Sequence, residues 1–408
     1  MHDRTPPAHD GRIRLTYPLE VYGETVVAEV PVVVGVLGDF GLTPPAGRPP
    51  LRDRRFKRLR VEDLHQLAAL QGGSAPIQRL APIVALAEAN PWLRVRVLDV
   101  TRAEMAADFQ AASVIDESAL WRLVFDSEFR TFGGEPYAML LVDFAFTADS
   151  ADLDLLQNLA RLGADAACAV IAAAAPRLFA AAQWDGLPDA QQLDALFATR
   201  PYAGWHALRD GDAARFLALT VFADAIGLGA RLLRAYTATG LWTGAALGEG
   251  DQTRPVPDRQ RDEALARHGF LLGHAALRDL RNAQRPRRFH QPEATALDAL
   301  TARLAHVLTS SQFLRAVSCL ARDAFGTTSM VDLEARLNRW LQDHVEDGAA
   351  ADPHHPTALR PLAEAHMQLH DLVSAPGEIE AVLTLRINLP DVQSAHCARY
   401  AMRSFGYR

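Results

Sequence analysis

Short apolar runs alternate with segments in which apolar residues recur at helical spacing. Residues 13–17 and 26–36 are predicted strands, and the second leads into the almost unbroken apolar run VPVVVGVLG. Such a run is typical of a strand that is buried on both faces of a sheet. Further short apolar segments predict strands at residues 94–99, 137–146 and 168–174.

Helices are predicted wherever apolar residues recur every three or four positions. These segments are residues 61–70, 82–89, 102–109, 118–127, 150–167, 190–198, 225–238, 259–267, 294–324 and 332–344. Alternating strands and helices indicate an α/β protein. We therefore expect a mixed β-sheet core flanked by helices, followed by a mostly helical C-terminal part with one terminal strand at residues 379–389.

Breaks in composition suggest how the chain is divided. The chain has 408 residues, enough for two or three domains. A Gly/Ser/Pro break at residues 71–76 and a linker-like segment at residues 348–356 interrupt the regular pattern. We expect a first segment at 1–72 that contributes strands to the core, an α/β core at 73–250, and a helical region at 251–408 with a terminal strand and a tail.

Composition and charge narrow the functional classes. The formal net charge is -7, which gives no reason to expect affinity for nucleic acid or for anionic membranes. The basic clusters at 52–60 and 281–288 carry few aromatic residues, so we interpret them as solvated surface or protein interface. Cys168, Cys319 and Cys397 form no CxxC pair, which favours a reducing compartment over a disulfide framework.

Nothing in the sequence predicts a membrane location. The polar, proline-rich N-terminus lacks the apolar region of a secretion signal, so we expect a cytoplasmic protein. Residues 216–233 contain Asp224 and Arg231, and they fit a buried strand followed by a helix better than a membrane span.

A glycine-bearing turn follows the buried strand. It reads GVLGDFG and includes Gly35, Gly38, Asp39 and Phe40. A phosphate loop would need GxGxxG, or a GK[ST] with a helix starting at once, and this segment has neither. We interpret it as a structural turn that ends a central strand.

The segment FGGEP stands between a predicted helix and an apolar strand. It comprises Phe132, Gly133, Gly134, Glu135 and Pro136. Two glycines give the backbone freedom, and the residue before a proline is held extended. The segment suits a structural corner, which we favour, and an active-site loop that contains Glu135 remains the alternative.

Two histidines present the one metal-binding alternative. His366 and His370 are four residues apart, a spacing that puts both on one face of a helix, and Glu364 is close by. The pattern EAHMQLH is not HExxH, so we favour an incidental pair. No catalytic residue, cofactor or metal site is assigned.

Two groups of segments, in order, resemble the sheath proteins of bacterial type VI secretion systems. PVVVGVLGDFG, a proline-rich loop and PLRDRRFKRLRVEDL resemble the small sheath subunit over about residues 11–70. EFRTFGGEPYAMLLVDFAF and later segments, up to IEAVLTLRINL, resemble the large sheath subunit over about residues 93–389. The chain therefore resembles a shortened fusion of the two subunits.

The resemblance implies a structural protein and not an enzyme. In this family, small and large subunits form one α/β block, and many blocks wrap around an inner tube and contract. Neighbouring blocks are held together by exchanged terminal strands, which is a form of strand addition. The implied partners are sheath subunits, inner tube and baseplate, in a homo-oligomer or a hetero-complex.

The departures from the family pattern shape the functional hypothesis. The second half of the small subunit, the N-terminal arm of the large one and the arm that the recycling ATPase grips are not recognisable. The tail DVQSAHCARYAMRSFGYR replaces the last family strand and does not alternate. We expect a sheath-like protein without interlocking arms that caps, terminates, nucleates or adapts a sheath. The alternatives are an ordinary protomer of a divergent sheath and, from another class, an enzyme or metal-dependent regulator that uses Glu135 or the histidine pair.

Overall fold

The computed structural model describes most of the chain. The described residues are 15–21, 24–43, 47–70, 75–131, 133–239, 242, 258–272, 296–324, 328–345, 361–371, 379–387 and 398–402. The linker-like segment 348–356, the basic cluster 281–288, Cys397 and Phe132 lie outside them.

The strands and helices follow one another in the predicted alternation. The strands are β1 (Thr16–Val21), β2 (Glu24–Glu29), β3 (Val32–Gly38), β4 (Lys57–Arg58), β5 (Leu93–Asp99), β6 (Tyr137–Phe146), β7 (Ala169–Ala174), β8 (Leu217–Val221), β9 (Phe270–Leu272), β10 (Leu362–Asp371), β11 (Ile379–Ile387) and β12 (Ala398–Met402). The longer helices are α1 (Val61–Leu70), α2 (Ala81–Ala89), α3 (Arg102–Ala111), α4 (Ser150–Asp165), α5 (Ala190–Phe197), α6 (Ala203–Asp210), α7 (Ala225–Thr239), α8 (Arg259–Arg267), α9 (Ala296–Ala324) and α10 (Met330–Gln342). A helical turn lies at Ala75–Gln78, and a helical segment with a π-turn at Arg122–Asp126 runs over residues 119–129.

A mixed seven-stranded sheet forms the centre of the molecule. Its order is β4-β5-β3-β6-β7-β8-β9. Only β4 runs antiparallel to its neighbour, whereas the other described pairs are parallel. Parallel strands need helices on both faces, which explains the near-continuous apolar character of the strand sequences. The expected α/β fold with a mixed sheet flanked by helices is confirmed.

The first predicted segment, residues 1–72, supplies the inner strand β3 of this sheet. Strand β3 pairs with β5 on one side and β6 on the other, so that Val34 lies opposite both Val95 and Met139. All seven residues of β3 are buried. A strand from residues 1–72 is therefore enclosed by two strands from residues 73–250.

Side chains on the two faces of β3 lie in two separate hydrophobic cores. Val34 and Val36 point to a core that contains side chains of α2, α7, α9 and α10. Val33 and Leu37 point to the opposite core, with side chains of α3, α4, α5, α6 and α8. The alternation of side chains along one strand thus joins both helical layers to the sheet.

Two smaller sheets complete the described fold. β1 and β2 form an antiparallel hairpin. β10, β11 and β12 form a three-stranded antiparallel sheet with β11 in the middle, and α10 packs beside β10 through Asn338, which both donates to and accepts from the backbone of Met367.

Several local expectations are corrected or confirmed by these elements. The helical spacing inferred for His366 and His370 is wrong, because both residues lie in β10. The tail that does not alternate nevertheless contributes β12. The strand and helix expected within 216–233 are confirmed as β8 and α7. Among the described helices, none has both the length and the apolar character of a membrane span.

Candidate functional site

The glycine turn after β3 is defined by close packing. A Cβ on Gly35 would lie 2.6 Å from Leu140, and one on Gly38 would lie 2.7 Å from the Phe40 ring. Phe40 is fully buried beside this turn, while Gly41 adopts a positive φ of 63°. The turn therefore depends on glycine for space, as well as for conformation.

The end of β5 holds this turn in place. Asp99, the last residue of β5, accepts hydrogen bonds from the backbone N–H groups of Phe40 and Thr43 at 2.9 and 3.2 Å. Arg48 bridges Asp99 and Asp39 at 3.2 and 3.0 Å. The Asp39 carboxylate is half-exposed and the other two side chains are buried, so the ion pair closes the carboxyl end of the sheet.

A second arginine connects the basic segment to α3. Arg54 donates to the carbonyl of Asp99 at 2.8 Å and pairs with both carboxylate oxygens of Glu104. Hydrogen bonds from Arg54, opposed by burial and supported by Thr101, lower the pKa of Glu104 to about 2. Glu104 also closes a capping box with Thr101 at the start of α3. Arg54, one residue of the basic cluster at 52–60, therefore has a structural role.

The FGGEP segment forms a tight corner before β6. Gly133 has a φ of 70°, a left-handed conformation that favours glycine. A Cβ on Gly134 would lie only 2.2 Å from the carbonyl oxygen of Glu128. Both glycines are therefore required by the backbone, one for conformation and the other for space. Phe132 lies outside the described residues.

Glu135 sits among arginines of β5. Arg96 donates to Glu135 at 2.5 Å and to Glu128 at 2.7 Å, and Arg94 also pairs with Glu135. Glu128 accepts a further bond from the backbone N–H of Glu135 at 2.9 Å. An acid that two guanidinium groups bind in this way suits a structural anchor.

Two arginines of α9 reach the same corner from the core that contains Val34 and Val36. Arg315 donates to the carbonyls of Pro31 and Pro136 at 3.1 and 3.2 Å, and so bridges the starts of β3 and β6. Arg322 donates to the carbonyls of Glu128 and Gly134 at 2.7 and 3.0 Å. Burial lowers the pKa of Arg315 to about 10, a value at which the side chain still carries its charge at neutral pH.

The N-terminal hairpin is attached to this network. Asp323 accepts from Arg322 at 2.7 Å and from the hydroxyl of Tyr17 in β1 at 2.7 Å. Burial, and then the bond to Asp323, raise the pKa of Tyr17 above its usual range. We call the set of Tyr17, Arg96, Glu128, Glu135, Arg315, Arg322 and Asp323 the corner network. It joins strands of both predicted segments to α9.

The structure separates the predicted residues into two places. Gly35 lies within β3, and Gly38, Asp39 and Phe40 lie at its carboxyl end, whereas Gly133, Gly134, Glu135 and Pro136 lie before the amino end of β6. Sequence reasoning missed Arg315 and Arg322. The signal for them was the placing of two arginines within the largely apolar run FLRAVSCLARDAF, where buried charges require partners.

The histidine pair does not form a metal site in β10. Four residues along a strand span about 13 Å, too far for two ligands of one ion. Both side chains are exposed. In the strand register, His366 pairs with Thr384 and His370 pairs with Glu380 of β11. No group of three or more possible metal ligands occurs among the residues that the structure describes.

Comparison with known families places three matches along the chain. Residues 6–72 match the family described as type VI secretion system VipA. Residues 76–223 match the VipB (EvpB) tail sheath N-terminal domain, and residues 293–396 match the VipB tail sheath gpW/gp25-like domain.

A curated relative matches over a large share of both chains. The type VI secretion system sheath protein TssC1 of Pseudomonas aeruginosa is 26% identical over 369 residues, covering 73% of this chain and 74% of the relative. Because 73% of 408 residues is fewer than 369, part of the aligned length lies opposite gaps in this chain.

Proposed function

The chain belongs to the type VI secretion sheath proteins, with a small-subunit region and a large-subunit region in one polypeptide, and from this premise we propose that it caps, terminates, nucleates or adapts a sheath. It acts as a structural block, and its role is to present a sheath-like surface without interlocking with identical neighbours through exchanged strands.

The observation that carries this proposal is the pairing of β12. This strand, from the chain's own tail, pairs with β11 over Ala381–Leu385, and β10 covers the other side of β11. A sheet edge must be open to accept a strand from another molecule. Here the edge of β11 is already occupied within the chain.

The proposed partners follow from the same surfaces. A block with a sheath-like core suits contact with ordinary sheath subunits, the inner tube or the baseplate, and we propose that it works with these proteins in the cytoplasm. The corner network serves this role by keeping the small-subunit and large-subunit regions in one rigid arrangement.

Electron microscopy combined with mass measurement of the purified chain tests the proposal. We expect a monomer or a small closed assembly, because no free edge of β11 is offered to a second copy. Long tubes formed by the chain alone would overturn the proposal and identify it as a self-sufficient sheath protomer.

A pair of truncations sharpens the same test. Removal of residues 398–408 takes away β12, uncovers β11, and should increase self-association at a given protein concentration. Removal of residues 403–408 alone leaves β12 in place and serves as the matched control. Equal self-association of the two variants would show that β12 has no part in limiting assembly.

A second candidate function, an ordinary protomer of a divergent sheath, is favoured by β2. Among the described strands β2 pairs only with β1, and its Val27 is 76% exposed. An exposed edge with apolar side chains is suited to pairing with another chain. If this second candidate is correct, replacing Val27 with lysine should abolish tubes. If the first candidate is correct, the same substitution should leave the measured mass of the purified protein's assembly unchanged.

A further inference from the structure

The strand at one end of the seven-stranded sheet, β4, carries exposed basic side chains. Among the described strands β4 pairs only with β5, so no described strand lies along its outer edge. Both of its residues, Lys57 and Arg58, are exposed. An unpaired strand edge is a place where a segment of another protein can be added to a sheet.

The residues around β4 are fixed to the sheet through their apolar members. Residues 55–60 read basic, apolar, basic, basic, apolar, basic. Phe56 packs against Tyr137 with ring centroids 4.9 Å apart, and Leu59 packs against the core on the other face of the sheet. The four basic side chains of the segment are all exposed, namely Arg55, Lys57, Arg58 and Arg60. The segment is thus held by both cores while its charges face solvent.

Most of this positive charge has no counter-charge close by. No carboxylate among the described residues pairs with Arg55, Lys57 or Arg58, whereas Arg60 lies 3.7 Å from Asp63. Like charges on facing strands are destabilising, so two copies of this edge should repel each other. Opposite charges on facing strands are stabilising, and complementary charge selects among partners. The edge therefore favours an acidic partner.

A groove beside β4 gives room for the side chains of an added segment. Its volume is about 460 Å³, within the roughly 300–1,000 Å³ that is usual for binding pockets. Its lining residues are Arg58, Leu59, Arg60, Ala87, Glu88 and Val95. Glu88 is bound to the chain itself, because its carboxylate accepts the backbone N–H of Val61 at 2.9 Å. The groove combines apolar side chains with two arginines.

We propose that the outer edge of β4 and this groove form a docking site for an extended acidic segment of another protein. The segment adds a strand beside β4 and places its carboxylates opposite the four exposed basic residues. Single-stranded nucleic acid suits the site less well, because Phe56 is already packed against Tyr137 and does not offer a face on which bases stack. The proposal goes beyond the function proposed above and does not depend on which of the two candidates is correct.

Fluorescence anisotropy with a labelled, end-blocked peptide tests this site. The probe is Glu-Val-Glu-Glu-Val-Glu, whose order of acidic and apolar residues complements residues 55–60 in parallel and in antiparallel alignment. Its binding to the full chain should weaken as NaCl is raised from about 50 mM to about 300 mM, since exposed charge pairs are screened. The double variant Lys57→Glu, Arg58→Glu should bind it about tenfold more weakly. This variant should instead gain binding to Lys-Val-Lys-Lys-Val-Lys.

Two controls separate strand addition from general attraction to charge. The double variant Arg161→Glu, Arg234→Glu makes the same change of net charge at exposed positions of α4 and α7, and it should bind the acidic probe as the unaltered chain does. N-methylation of the two valines of the probe removes backbone donors without changing its charge. It should weaken binding, because strand pairing needs those N–H groups.

Several results would overturn the proposal. These are no binding of the acidic probe by the unaltered chain, equal weakening in the two double variants, and equal binding of the N-methylated probe. Tighter binding of a single-stranded oligothymidylate than of the probe would assign the edge to nucleic acid instead. A self-associated chain that the probe dissociates would assign the edge to a second copy, and so would also overturn the occupant proposed here.

Discussion

Gly134 shows how one residue limits what the FGGEP corner can be. Any side chain here would meet the carbonyl oxygens of Glu128 and Thr131, and backbone atoms cannot move aside as a flexible side chain can. We expect Gly134→Ala to lower the free energy of unfolding by about 2–4 kcal/mol.

Gly186→Ala is the matched control for this substitution. No atom lies within 4 Å of the Cβ that would be added at Gly186, so its chemical denaturation curve should stay close to that of the unaltered chain. If Gly134→Ala unfolds at the same denaturant concentration as Gly186→Ala, the corner is not constrained in the way described.

Asp143 makes stability depend on pH. Its carboxylate, on β6, is buried beside Gly38 and pairs with Arg79 at 2.9 Å. Burial raises its pKa from 3.8 to about 6, against the effect of Arg79. A raised pKa means that the folded chain binds this proton more tightly than the unfolded chain, so stability falls as pH rises from about 4 to about 6 and is level above that.

Asp143→Asn should remove this pH dependence. We expect the unaltered chain to lose about 2 kcal/mol relative to Asp143→Asn between pH 4 and pH 6, measured by denaturant unfolding at several pH values. Asp185→Asn, at an exposed position, is the control and should leave the pH profile unchanged. A constant difference between the unaltered chain and Asp143→Asn over this range would contradict the assignment.

At the scale of elements, β3 is the strand on which the fusion depends. It belongs to the small-subunit region, yet both of its neighbours belong to the large-subunit region. We expect residues 73–408 expressed alone to be insoluble, because β5 and β6 would each expose a strand edge and an apolar face. Co-expression with residues 1–72 as a separate chain should restore a soluble one-to-one complex.

Two substitutions separate strand insertion from weaker contacts in that experiment. Val34→Asp places a charge at a fully buried position of β3 and should prevent the complex from forming. Val27→Asp alters the exposed β2 and should leave complex formation intact. Complex formation that survives Val34→Asp would mean that β3 does not hold the two parts together.

The elements that sequence could and could not predict differ in their physical signals. The apolar run of β3 has no amphipathic alternative, and a buried strand is found there with every residue buried. The single strand predicted at 26–36 is wrong in its bounds, because the structure divides it into β2 and β3. In β10, by contrast, a separation of four residues returns to the same face of a strand as well as of a helix. The alternation of buried Ala365, Met367 and Leu369 with exposed neighbours would have identified the strand. β9 and β12 are too short for any period to be visible.

At the scale of the whole molecule, the FGGEP corner depends on contacts with α9, which is distant in sequence. Arg315 and Arg322 are separated by more than 170 residues from the carbonyls they bind in the corner. No local pattern can reveal such a partner, because it depends on how α9 packs against the sheet. The glycines of the corner were recognisable from sequence, whereas the carbonyl groups that the two arginines bind were not.

Covalent fusion also fixes the proportion of the two regions. Separate subunits must meet in equal numbers, and any excess of one exposes the strand edges that the other would cover. In this chain each large-subunit region carries its own central strand and its own corner network. Each copy of the chain therefore contains both regions in equal proportion.

The position of β3 has a further consequence for biosynthesis. Of the strands in the seven-stranded sheet, β3 leaves the ribosome first, β5 follows after a long interval, and β6 later still. At a translation rate of roughly 5–20 residues per second, β3 therefore remains without β5 and β6 for several seconds. During those seconds the sequence VPVVVGVLG is an uncharged, aggregation-prone stretch. Nascent chains stalled before β6 should therefore be the ones that chaperones hold, and release should coincide with the emergence of β6 from the ribosome.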